Sequence, residues 1–119
     1  MEIKIRKNDD GIHLIELSGH LDLNSSDQLK SLVLNMIEKK VECFIISLSG
    51  VDEINSGGIG ALIYVSSTLK KLNSPLVIIV PDGPVLHALE ATRLKSYFKI
   101  APALGEAVFI IKQDRLKLS

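Results

Sequence analysis

From Glu2 to Arg6 polar and apolar residues alternate, the two-residue period of a strand with one buried face. Asn8-Asp9-Asp10-Gly11 reads as a turn, because Asp and Gly tolerate the backbone geometry of a tight reversal. A second strand is predicted over Ile12 to Leu17, ended by Gly19, so the chain opens on an antiparallel hairpin. The period then lengthens. Leu29, Leu32, Val33, Met36 and Ile37 form one stripe of a helix introduced by Leu23 to Gln28, with Ser25 and Gln28 spaced as a capping box. Lys39 and Lys40 suit its C-terminal end.

Cys43-Phe44-Ile45-Ile46-Ser47-Leu48 is a nearly unbroken apolar run, which fits a central strand covered by helices. A loop from Ser49 to Ile54 is expected to lead into a helix starting near Ser56, whose inner stripe is Ile59, Leu62, Ile63, Ser66 and Leu69. Asn73-Ser74-Pro75 stops that helix, and Leu76 to Val80 reads as a second central strand. Pro81-Asp82-Gly83-Pro84 turns into a short helix carrying Val85, Leu86 and Leu89. A short strand at Phe98 to Ala101 follows, and Pro102 opens a last helix with Leu104, Ala107, Val108 and Ile111 on one side. A hairpin followed by right-handed α/β crossovers predicts an α/β fold, a mixed sheet with helices packed against it.

Composition fits a single domain spanning residues 1–119: hydrophobic residues make up 46% of the chain, enough for a core without disulfides or a metal. The 14 basic and 14 acidic side chains cancel, which removes the strongest reason to expect a nucleic-acid or anionic-membrane partner. They are unevenly spread, with acids in excess over residues 1–60 and bases in excess over 61–119, an asymmetry that a homodimer or a partner protein could exploit. Cys43 has no second cysteine to pair with and is expected to be a small buried thiol. The N-terminus lacks the apolar core of a signal peptide, and no apolar run approaches the roughly 20 residues that cross a bilayer. A soluble cytoplasmic protein is the expectation.

The chemistry concentrates in Asp52-Glu53-Ile54-Asn55-Ser56-Gly57-Gly58-Ile59-Gly60, between a central strand and a helix. Asn55 or Ser56 can cap the helix and leave the next backbone amides available to a phosphate or to a partner's acidic side chain. Gly57 and Gly58 permit close approach, while Gly60 reads equally as a residue kept small where the helix packs on the sheet. The run lacks the glycine spacing and the Lys-Ser/Thr pair of a P-loop, and it lacks the dinucleotide-binding fingerprint.

Asn55-Ser56-Gly57-Gly58-Ile59-Gly60 resembles the Asp-Ser-Ser-Gly-Leu-Gly-like segment of the STAS domain family, especially its bacterial anti-sigma factor antagonists. Gly19-His20-Leu21-Asp22 is similar to that family's Gly-x-Leu-Asp turn, and the order of elements extends the likeness over nearly the whole chain. The resemblance implies a mixed sheet of about five strands, with several helices on one side and about four in all. It also implies an anti-sigma factor as partner, often a serine kinase, whose capture frees a sigma factor. The docking region it implies is Asp22 with Asn55, Ser56, Gly57, Gly58, Ile59 and Gly60. The family's regulated second serine matches Gly57, which has no hydroxyl, and its preceding aspartate matches Asn55. The ordinary phospho-switch therefore does not follow, and three readings of the altered loop stay open: it binds a partner without phosphorylation, it uses neighbouring Ser56 as the phosphate acceptor, or it belongs to a divergent module with another partner. A bulky charged substitution at Gly57 is expected to weaken docking more than one in the Lys117-Leu118-Ser119 tail.

No catalytic set, metal or cofactor is expected. His13, His20, His87 and Cys43 offer zinc-ligand types without zinc-ligand spacing. Asp52 and Glu53 read as solvated loop acids, and Tyr64 and Tyr97 as packing residues with polar edges. A receiver-like phosphotransfer domain would also place Asp52 after a central strand, but it needs an acidic cluster that is missing here. A hydrolase built on Ser56 needs a base and an oxyanion site. A non-enzymatic regulator is the reading, against a divergent scaffold with another partner.

Overall fold

The computed structural model describes residues 1–118, with side chains through Leu116, so substitutions in the Lys117-Leu118-Ser119 tail lie outside the described residues. Five strands, β1 (Glu2–Lys7), β2 (Ile12–Leu21), β3 (Cys43–Ile54), β4 (Leu76–Ile79) and β5 (Ile100–Ala101), form one sheet in the order β1-β2-β3-β4-β5. The hairpin is antiparallel and every later pairing is parallel. Four α-helices intervene or follow: α1 (Leu23–Glu38), α2 (Ser56–Lys71), α3 (Pro84–Ala91) and α4 (Leu104–Leu118). The α/β mixed sheet is the expected one.

Because each crossover steps to the next strand in the same direction, one handedness of connection puts α1, α2 and α3 on a single face. Their buried residues join Ile15, Leu17, Phe44, Ile46, Leu48 and Ile78 in one core. The side-chain period of two sends the alternate residues, Ile12, Cys43, Ile45, Val77 and Ile79, to the other face, where α4 covers them with Ala107 and Ile111. The helices are thus three on one face and one on the other. Burial of Cys43 follows from its place on β3, and the Arg115 guanidinium Nε donates to its Sγ at 3.1 Å.

Several boundaries differ from expectation. β2 does not stop at Gly19; it continues to Leu21 through two register shifts against β3, and Gly19 supplies the positive φ of 93° that the irregularity needs. The segment Ser49 to Ile54 is strand rather than loop, because β2 runs beside it as far as Leu21. Helix α1 starts two residues before Ser25. Asp22 is its N-cap and Ser25 answers it in the capping box, so Gln28 has no part in that box. β5 begins at Ile100, after a short 3-10 turn (Lys95–Tyr97) and Phe98. Pro102 stands just outside α4, and Leu104, expected on its inner side, is 47% exposed.

Beyond Ser47, β3 has left β4 behind and pairs only with β2. The two strands project together, and α1 and α2 begin at their tips. This is the carboxyl end of the parallel strands, the usual location of function in open α/β sheets.

Candidate protein-binding site

Each helix start is held by its own cap. The Asp22 carboxylate accepts from the Ser25 amide at 3.1 Å, while Ser25 Oγ accepts from the Asp22 amide at 2.9 Å and donates to the His20 carbonyl at 3.1 Å. Asp22 is therefore a structural residue of α1 whatever else it meets. Asn55 Oδ1 accepts from the amides of Gly57 at 3.0 Å and Gly58 at 3.3 Å, and the Asn55 amide donates to the Leu21 carbonyl at 3.3 Å. The amides expected to receive a phosphate or an acidic side chain are thus already engaged by the cap. This corrects the anion-binding reading of the loop.

The glycines also serve the fold. A Cβ on Gly57 would lie 2.6 Å from the Leu23 backbone nitrogen, and a Cβ on Gly58 would strike the Leu21 carbonyl oxygen. The close approach that these glycines permit is that of α1 and β2 to α2. A serine at position 57 would require the α1 backbone at Leu23 to shift. Gly60 behaves differently. A Cβ there meets nothing within 4 Å, so the idea that close helix–sheet packing keeps it small is overturned.

Asn55, Ser56 and Gly60 are exposed, Asp22 and Gly57 are half-buried, and Gly58 and Ile59 lie behind the surface, Ile59 at 8% exposure. Ser56 has no hydrogen-bond partner for its hydroxyl among the described residues. Next to this set stands a residue the sequence reading passed over. Leu23 is 74% exposed on the first turn of α1, against Gly57. Its sequence signal was its register: Leu23 falls six positions before Leu29, off the inner stripe. Further along, Tyr64 of α2 and Lys30 of α1 meet in a cation–π contact at 5.2 Å.

The flank is acidic with one histidine. His20 Nε2 lies 3.3 Å from Asp52 Oδ1 and 3.7 Å from Glu53 Oε2, all three being largely exposed. Asp52 and Glu53 are residues of β3, not loop acids: Glu53 pairs with His20 of β2, and Asp52 falls at the register shift between Val51 and Glu53. Among the described residues, no three His, Cys, Asp or Glu side chains gather in a way that could hold a metal ion. No helix among them is long and apolar enough to cross a membrane.

The sequence matches the STAS domain family over residues 3–107. The chain belongs to the STAS domain family. No curated protein sequence matches it. Among solved structures this STAS domain is similar to an anti-sigma factor antagonist from Mycobacterium paratuberculosis, at 19% identity and a TM-score of 0.83, with 93% of each chain covered. It is similar to RsbS from Moorella thermoacetica, in a variant form, at 22% identity and a TM-score of 0.78, covering 95% of this chain and 97% of that one. It is also similar to the Bacillus cell fate determinant SpoIIAA in its phosphorylated form, at 15% identity and a TM-score of 0.69, covering 92% and 99%. These likenesses establish that the STAS fold is shared over almost the whole chain.

Proposed function

We propose that this STAS domain is a non-catalytic regulatory module of the cytoplasm that captures an anti-sigma factor and so releases a sigma factor. The observation that carries the reading is Leu23, a leucine 74% exposed on the first turn of α1 and seated against Gly57 at the capped start of α2. A large exposed apolar side chain on a rigid base suits the centre of a protein interface. The solved anti-sigma factor antagonist of like fold supports the class of partner. Ser56 has no base within hydrogen-bond reach among the described residues, which favours binding over hydrolysis.

Regulation through position 57 is closed, so a serine-kinase partner would modify Ser56. Phosphate there adds about −1.5 to −2 charges at the start of α2, which the helix field favours. Release would come from repulsion and desolvation in the partner's surface, not from melting the helix.

The test is capture of the protein's stable partner, then equilibrium binding of that partner to the purified domain. Leu23→Asp is expected to weaken binding at least about tenfold without moving the unfolding midpoint. A substitution at Gly57 is a poorer probe than the sequence suggests, because it strikes the α1 backbone. Recovery of an unrelated receptor or scaffold would favour a divergent STAS module. Unchanged binding by Leu23→Asp would overturn the surface.

A further inference from the structure

We propose that the cavity between the C-terminal half of α2 and the β4–β5 edge of the sheet binds a small apolar monocarboxylate, of about the size of benzoate. The cavity lies where the 3-10 turn and Phe98 lead into the two-residue β5. It is a half-open depression of about 180 Å³, and its lining includes Ser66, Lys70, Leu76, Ile78, Tyr97 and Phe98. An apolar cavity of about 150 Å³ is enough for a benzene ring. Leu76, Ile78 and Phe98 offer the ring an apolar bed, and the Tyr97 and Phe98 rings meet edge-on at 5.2 Å. Tyr97 is held in place by its hydroxyl contact with Ser67 of α2, so this wall is fixed.

Two polar features set the chemistry. Ser66 Oγ is buried and has no hydrogen-bond partner among the described residues, although it lies on a helix stripe otherwise apolar. A buried hydroxyl is normally paired, and a ligand oxygen would pair it. Lys70, one helical turn further along, makes no ion pair among the described residues, whereas Lys99 at the same rim is matched by Asp114. The cavity therefore presents an apolar floor, a free hydroxyl and one uncompensated cation. A carboxylate on a small ring satisfies all three; a neutral or cationic ring does not. Ser66 is eleven residues along α2 from Asn55, about 16 Å by helical rise, so the cavity is separate from the docking surface.

The test is a titration of the full chain with benzoate, followed by amide chemical shifts. Saturable shifts confined to residues around 66–78 and 97–99 are expected, with a Kd of about 1 mM or tighter. Benzylamine, with the same ring and the opposite charge, is expected to leave these amides unmoved. Lys70→Gln and Ser66→Val, the latter exchanging the hydroxyl for a methyl group, should each weaken benzoate at least about tenfold. Should Ser66→Val fail to fold, Lys70→Gln decides, provided its unfolding midpoint matches the parent. Failure to saturate by about 10 mM, equal shifts with benzylamine, or undiminished binding by Lys70→Gln would each overturn the proposal.

Discussion

The backbone nitrogen of Leu23 lies 2.6 Å from the point where a Cβ on Gly57 would stand. One contact thus does two things. It seats the first turn of α1 on the first turn of α2, and it sets the Leu23 side chain, 74% exposed, beside the start of α2. Gly57, which has no hydroxyl to phosphorylate, is the same residue that the exposed leucine sits against.

Gly57→Ser is therefore expected to destabilise the domain by about 1–3 kcal/mol through overpacking against backbone that cannot yield cheaply. Gly60→Ala makes the opposite case within the same helix. With nothing inside 4 Å of its Cβ, it should gain about 0.5–1 kcal/mol from helix propensity alone. Urea unfolding of both variants separates the two. A Gly57→Ser variant as stable as the parent would mean that α1 does not rest on α2 as described.

Asn55 holds two amides with one side-chain oxygen. Asn55→Ala should cost about 1 kcal/mol, the ordinary loss of an N-cap. Asn55→Asp keeps the acceptor and adds negative charge at the helix start, worth about 0.3–1 kcal/mol at low ionic strength and less in salt. Unfolding curves at two salt concentrations check both parts. An aspartate variant less stable than the alanine would contradict the cap geometry.

What was legible in the sequence followed from periodicity. Ile59, Leu62 and Leu69 on α2, and the run from Phe44 to Leu48, are buried as their spacing required. Boundaries at the functional end were not legible, for a physical reason. Ser49 to Ile54 looks polar and glycine-containing, yet becomes strand because β2 extends past a glycine kink to pair with it, a tertiary choice that no local preference announces. The capping box went to Asp22 and Ser25 instead of Ser25 and Gln28 because Ser25 also donates to the His20 carbonyl, a partner supplied by the strand before it. In the site, residue types were readable while their allegiance was not. Gly57 and Gly58 announced a close approach, but not that the neighbour was this chain's own backbone.

Helix ends give the last prediction. Lys40, Asn73 and Arg93, with φ of 69°, 57° and 61°, each stand one residue beyond the C-cap of α1, α2 and α3. The left-handed turn is worth keeping at α1 and α2: Val41 donates to the Met36 carbonyl at 3.0 Å and Ser74 to the Leu69 carbonyl at 2.9 Å, closing each last turn. A side chain with a Cβ pays about 1–2 kcal/mol for that conformation, glycine pays none, and asparagine pays less than most. Lys40→Gly and Arg93→Gly should thus each stabilise by about 1 kcal/mol, and Asn73→Gly by clearly less. Thermal unfolding would register each of the larger gains as a rise of about 3–5 °C. A fall at Lys40→Gly would show that the lysine's contacts outweigh its backbone strain, and that α1 is not ended by this turn.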